Sequence, residues 1–247
     1  MKKFPPKRRV LIVGEGRETE YNYMVGFRNA FTEELDAMAI SVSVARGKGG
    51  DARGIVERAI HEANKFDPNR RLGDRVFLLL DTEGVGRAPE LPAAEKLAKE
   101  HEIEIVYSSP AFEYWLLCHF EKISRRYFKD CDAVVVELNK KWNTVCTTQY
   151  EKADNDVFDR LSNRLNLACD QALKIDLYHQ RLHGATLREN PSTQVYELIA
   201  ILIGARSDKK CPITGTWKLL RDARVTVELE KGVNMPRYGD TSAHWRL

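Results

Sequence analysis

RVFLLLD, residues Arg75–Asp81, sets five apolar side chains in a row between an arginine and an aspartate. A strand with one wet face alternates apolar and polar residues, whereas a strand of a parallel sheet covered on both sides reads as an unbroken apolar run. The run is also too short for a helix, which needs roughly ten residues or more. It therefore reads as a central strand that stops at Asp81.

Working outward, Val10–Val13 is a second short apolar run, followed by the glycine-bounded acidic turn GEGRETE and a stretch, Tyr21–Leu35, that reads as a helix. Ala39–Ala45 (AISVSVA) alternates like a strand. The loop RGKGG follows, and Asp51 is placed to cap a helix carrying Ile55, Val56, Ala59, Ile60, Ala63 and Phe66 at helical spacing. After Asp81 a proline-containing loop leads to a helix near Ala93–His101. A fourth strand, Glu104–Tyr107, is followed by Ser109 as expected N-cap and Pro110 at the first helical position of a helix running to about Glu121. Strands alternating with helices in this way specify an α/β fold, a parallel sheet flanked by helices.

Beyond Ile123 strand signals mostly cease. Asp132–Trp142 and Asp154–Leu182 read as helices, and Asn190–Pro191 is expected to open another, to about Gly204. The expected organisation is an α/β core over residues 1–122, a mainly α-helical C-terminal elaboration over 123–206, and an extension of unassigned role over 207–247. In the extension, Trp217–Glu230 has the pattern of a hairpin or final strand, and the tail after Gly232 reads as irregular.

A chain of 247 residues, 43% hydrophobic and 30% charged, is neither disordered nor fibrous. Its longest apolar stretch, Leu198–Ala205, is less than half of the roughly 20 residues that span a bilayer, so no membrane segment is expected. The opening MKKFPPKRR imitates the basic end of a signal peptide, but Val10–Gly14 is too short an apolar core to follow it. Five cysteines without a CxxC pair fit reduced thiols and a cytoplasmic location. The net charge of +3 divides into +5 over residues 1–9, −6 over 10–204 and +4 over 205–247. An acidic body between basic ends suits either a carboxylate-built metal site that meets phosphates or ordinary surface scatter.

Ligands of open parallel sheets collect at the carboxyl ends of the strands. Glu15 lies just past the first strand, Asp81 and Glu83 just past the third, and Glu113 in the first turns of the helix after the fourth, beside Leu116, Leu117 and Phe120. Converging carboxylates repel one another and raise one another's pKa unless a cation joins them. Mg²⁺ or Mn²⁺ prefers oxygen ligands and suits phosphoryl chemistry. Each acid taken singly also fits a solvated turn or, for Glu113, a favourable place at a helix N-terminus.

The segments VLIVGEGRETEYNY (Val10–Tyr23), FLLLDTEG (Phe77–Gly84), SSPAFEYWLLCHF (Ser108–Phe120) and NPST (Asn190–Thr193) together resemble the RloB-like family, across most of residues 8–204. That family is part of the Toprim superfamily, whose pattern is a glutamate after strand one and D-x-D after strand three, used for Mg²⁺-dependent cleavage or transfer on nucleic acids. The resemblance implies a Toprim-like fold and a metal-dependent nuclease acting on DNA or RNA, tRNA included. It implies that Glu15 is an acid–base or metal-positioning group, that Asp81 is a metal ligand, that Glu83 stands where the broader pattern prefers Asp, and that Glu113 is an extra or supporting ligand. It also implies an antiphage-defence or restriction setting with an ABC-type or overcoming-lysogenization-defect-type ATPase partner. A homo-oligomer is compatible with it. A module of the same fold that binds nucleic acid or the ATPase without cutting is the alternative, motivated by Glu83.

Other features have weaker patterns. Lys48, in Arg46–Gly50 before a helix, and Arg17, in the acidic turn, are candidate nucleic-acid contacts, although RGKGG lacks the GK[ST] of a Walker A loop and also reads as a connector. His179 and His183 share a helical face without a third ligand and read as packed or solvent-facing. Arg8, Arg9, Arg125, Arg126, Lys129, Lys140 and Lys141, with Tyr127, Phe128 and Trp142 interleaved, fit either phosphate gripping and stacking or core aromatics beneath a basic face. A receiver-type phosphoacceptor is disfavoured, since it needs an acidic pair after strand one and a lysine after a fifth strand. A haloacid-dehalogenase phosphatase needs D-x-D after the first strand, where this chain has Glu15.

Overall fold

The computed structural model describes residues 6–84, 86–121, 125–146, 148–183, 189–207, 209–220, 222–238 and 242–246. In chain order the elements are β1 (Arg8–Val13), α1 (Thr19–Ala30), α2 (Thr32–Ala37), β2 (Ile40–Ala45), α3 (Ala52–Phe66), β3 (Arg75–Asp81), α4 (Leu91–Glu100), β4 (Ile103–Ser109), α5 (Glu113–Leu117), α6 (Cys131–Trp142), α7 (Val157–Leu161), α8 (Leu165–His183), β5 (Ser192–Thr193), α9 (Val195–Ile203), β6 (Ala205–Arg206), β7 (Gly215–Leu219), β8 (Asp222–Leu229) and β9 (His244–Arg246). The first sheet has the order β2-β1-β3-β4-β5, with β1 to β4 parallel and β5 antiparallel to β4. The second has the order β6-β9-β7-β8, and its described pairings are antiparallel.

Strand pleating sorts the apolar run of β3 between two cores. Phe77 and Leu79 join Val10, Ile12, Val42 and Val106 against α1, α5 and the later helices. Val76, Leu78 and Leu80 join Leu11, Val13 and Ile103 against α3 and α4. Both faces of the sheet are thus covered, which is why β3 has no polar face to show. Asp51 caps α3 by accepting the Gly54 N–H at 2.6 Å, and α3 buries Ile55, Val56, Ala59 and Ala63.

Three readings of the sequence need correction. The helix after β4 starts at Glu113, with Phe112 at its N-cap, and not at Pro110. The backbone of residues 108–110 is committed elsewhere: the Thr82 N–H donates to the Ser108 carbonyl and the Glu83 N–H to the Pro110 carbonyl, each at 2.9 Å, so the ends of β3 and β4 stay zipped together. Asn190–Pro191 does not open a helix either. Asn190 clasps the Phe128 peptide, accepting its N–H at 3.1 Å and donating to its carbonyl at 2.7 Å, and Ser192–Thr193 form β5. The tail after Gly232 is not wholly irregular, because β9 pairs with β6 and β7 and buries Trp245 beside Trp217 and Met235. The expected β7–β8 hairpin is present, and the expected helix over Tyr21–Leu35 is divided at Phe31 into α1 and α2. Among the described residues no helix is long and apolar enough to cross a membrane.

A carboxylate-rich site at the sheet's carboxyl edge

Glu15 follows β1, and its buried carboxylate turns toward β3, where Oε2 accepts the backbone N–H of Asp81 at 2.8 Å. Arg87, from the loop after β3, donates through Nη1 to both Glu15 oxygens, at 2.7 and 2.8 Å, and to the Asp81 carbonyl at 2.9 Å. Its Nη2 donates to the Gly50 carbonyl at 3.0 Å and pairs with Glu83 at 2.8 Å. The Arg87 side chain is only 4% exposed, so one buried guanidinium gathers the loops that follow β1, β2 and β3. Burial works against its charge, but Glu15, and after it Glu83 and Asp81, outweigh that effect and hold its pKa above the ordinary value.

Glu20, on the first turn of α1, is buried and accepts the Gly16 N–H at 3.2 Å. Burial pushes its pKa up to about 7, against hydrogen bonds from the backbone and with help from Glu15 and Glu113. Asp81 is held well above the ordinary carboxylate range, first by burial and then by Glu15, Glu20 and Glu113, with Arg87 opposing. Glu15 is raised as well, by burial, which Arg87 and the Asp81 N–H only partly offset. The site is therefore richer in carboxylates than its internal cations can neutralise.

Glu113 sits on the far side, 3% exposed. Tyr150 donates to its Oε1 at 3.2 Å, Lys152 pairs with the same oxygen at 3.1 Å, and the Cys131 thiol lies 3.4 Å from Oε2. Burial, then Glu113, pushes the Cys131 thiol up to about 12, which keeps it a thiol and not a thiolate. The Thr19 hydroxyl lies 3.3 Å from the Tyr150 hydroxyl and so ties α1 to this group.

The four acids singled out from the sequence thus collect at one sheet edge, with Glu83 outermost at 53% side-chain exposure. Glu20, Arg87, Tyr150 and Lys152 are additions that the sequence pattern did not single out. Of these, only Glu20 carried a signal in the sequence, as the last acid of the turn GEGRETE. Lys48 and Arg17 are both exposed, on the two loops beside Glu15. The RGKGG loop acts as a brace: the Gly47 N–H donates to the Gly16 carbonyl and the Gly49 N–H to the Glu15 carbonyl, each at 2.9 Å. Those donors are already used, so the loop is no open phosphate cradle.

The remaining candidates fall into the frame. His179 is buried, with Nε2 2.9 Å from the Pro191 carbonyl, and the side chain of His183 lies outside the described residues. Phe128 and Trp142 are buried in the main core, while Arg9 is paired with Asp74 at 2.7 Å. Among the described residues no three His, Cys, Asp or Glu side chains are grouped closely enough to hold a metal ion. The donor set itself is made of hard carboxylate oxygens, and burial followed by their mutual repulsion raises Asp81, a chemistry that fits Mg²⁺ or Mn²⁺ and not a soft metal.

No curated protein and no solved structure matches the chain. The family model described as RloB-like protein matches residues 10–202, a span that carries every acid of this site and stops short of the strands β7, β8 and β9. The chain therefore belongs to the RloB-like protein family.

Proposed function

We propose that this protein is an Mg²⁺- or Mn²⁺-dependent nuclease of the Toprim type that cleaves phosphodiester bonds in DNA or RNA, working as the effector of an antiphage system with an ATPase partner. The observation that carries this reading is the meeting of Glu15 and Asp81 at the strand ends, where the Glu15 carboxylate accepts the Asp81 N–H at 2.8 Å, and where burial first, then Glu15, Glu20 and Glu113, raise the Asp81 carboxyl. Carboxylates crowded in this way favour a bound cation.

Asp81 would hold the ion together with at most one further acid of the group, waters and a substrate phosphate completing the shell, as suits Mg²⁺. A bound divalent cation would supply neutralisation of a phosphate's charge. Glu15 acts on position: with Arg87 on both oxygens and the Asp81 N–H on one, it anchors the main chain that carries Asp81. Lys152, 60% exposed and paired with Glu113, would meet a non-bridging phosphate oxygen by sharing its ammonium between that carboxylate and the phosphate.

A second reading, binding without cleavage, is favoured by one observation. Arg87 already occupies both Glu15 oxygens and pairs with Glu83, so two of the acids have a protein cation in place. One experiment separates the two readings. Purified protein, with and without the neighbouring ATPase, is incubated with labelled tRNA and DNA pools in Mg²⁺ or Mn²⁺. Metal-dependent cleavage that Asp81→Ala abolishes is expected; absence of cleavage in every combination establishes the binding module instead.

A further inference from the structure

A groove of about 460 Å³ lies away from the carboxylates, along the exposed side of α8. Lys174, Tyr178 and Arg181 line it at spacings of four and three residues, so α8 presents them as one stripe. Arg125 lies over the Tyr178 ring, 5.3 Å from its centroid, and Lys209 and Lys210 form another part of the wall. Among the described residues that line it Asp170 is the one carboxylate, and Lys209 already pairs with it at 2.7 Å. Arg125, Lys174, Arg181 and Lys210 therefore face the groove with no further carboxylate among its described lining residues.

From this geometry we infer that the groove is a docking track for single-stranded nucleic acid, leading the strand toward the carboxylate site; the inference rests on the reading of that site as one that acts on nucleic acid. Three features select this occupant. A row of unbalanced cations beside an exposed aromatic is the combination that holds a phosphate backbone and stacks a base. The exposed Tyr178 ring selects a single strand, because the bases of a duplex are already stacked on one another and leave no free face for it. Its position is also suitable: Arg125 lies in the groove, while Lys129, four residues on, abuts the acidic loop, where a Cβ on Gly84 would meet the Lys129 carbonyl at 2.9 Å. Four residues of chain span at most about 14 Å, so a strand held at Arg125 needs only a few nucleotides to reach Glu83.

The test is anisotropy of fluorescein-labelled single-stranded DNA and RNA with the full-length protein in EDTA, which removes cleavage from the readout. Lys174→Ala/Arg181→Ala/Lys210→Ala, all at exposed positions and checked for an unchanged thermal midpoint, should weaken binding at least about tenfold and flatten the salt dependence by about two in log–log slope. Tyr178→Ala should weaken it by about tenfold, and Tyr178→Phe should restore it. An unchanged salt slope in the triple variant overturns the groove whether or not cleavage is seen. Wild-type binding without any product in Mn²⁺ overturns the nuclease and leaves the groove standing. Tighter binding of duplex, or of polyglutamate, overturns single-stranded nucleic acid as the occupant.

Discussion

Arg87 and Glu15 form a buried, two-oxygen ion pair: a single guanidinium nitrogen donates to both oxygens of the carboxylate, at 2.7 and 2.8 Å, while the other nitrogen reaches Gly50 and Glu83. This pair links the loops after the first three strands, so the candidate site is built around a cation that belongs to the protein.

Arg87→Met should therefore strand Glu15 as an uncompensated buried carboxylate. Removing one partner of a buried pair costs about 3–5 kcal/mol, and a urea midpoint at pH 8 should fall accordingly. The loss should shrink as pH falls, because Glu15, already raised by burial, takes up a proton more readily once Arg87 is gone. Arg87→Lys should fall between the two, since one ammonium cannot reproduce the planar fork that spans Glu15, Gly50 and Glu83. An unchanged midpoint in Arg87→Met would refute the structural role.

Glu20 gives a pH dependence of defined sign. Its folded pKa of about 7 lies above the ordinary 4.5, so the stability it contributes is full below about pH 4.5 and is lost as pH rises through 7. Glu20→Gln keeps an acceptor for the Gly16 N–H and removes the charge. It should equal the wild type near pH 4 and exceed it at pH 8, by no more than about 3.5 kcal/mol, since each pKa unit is about 1.4 kcal/mol. Thermal melts of both proteins across that range decide it. A difference that does not change with pH sinks the assignment.

The sheet was legible because burial on both faces writes itself directly into a strand: RVFLLL and VLIV have no polar alternation to misread. The acids at the strand ends were legible for a related reason, since the end of an apolar run marks the sheet edge. Arg87 was not, because an arginine in the loop GVGRAPE has the pattern of a solvated charge, and only the fold brings it against Glu15 across 72 residues. The starts of the helices near Pro110 and Asn190 were misread for one shared reason. Both segments look like helix caps locally, yet their polar groups bond to distant backbone, at Thr82 and Glu83 for the first and Phe128 for the second. Short-range rules weigh the cap and have no access to the partner.

The carboxylate crowding should make metal binding visible without catalysis. Mn²⁺ at about a hundred times its Kd should stabilise the protein by about 2.7 kcal/mol, a rise of several degrees in Tm for a chain of this size. Asp81→Asn should abolish that rise. In EDTA at pH 8 the same variant should be more stable than the wild type, because it removes the carboxylate that burial, Glu15, Glu20 and Glu113 disfavour. Differential scanning calorimetry reads both effects. A Mn²⁺-induced rise that persists in Asp81→Asn would place the ion elsewhere.

Two glycines of the brace loop should differ sharply. A Cβ on Gly47 would sit 1.9 Å from the Glu15 carbonyl oxygen and 2.3 Å from that of Gly14, whereas a Cβ on Gly49 meets nothing within 4 Å. Gly49 instead has φ +69°, a left-handed conformation that costs a side-chain-bearing residue about 1 kcal/mol. Gly49→Ala should lose about that much and keep its response to Mn²⁺. Gly47→Ala must push the loop after β2 away from the loop after β1, which breaks the Gly47–Gly16 hydrogen bond and displaces the backbone that carries Glu15. Overpacking of this kind costs about 3 kcal/mol or more, and it should take with it the Mn²⁺-induced rise in Tm. Equal losses in the two variants, measured by denaturant unfolding, would mean that the close approach at Gly47 does not hold Glu15 in place.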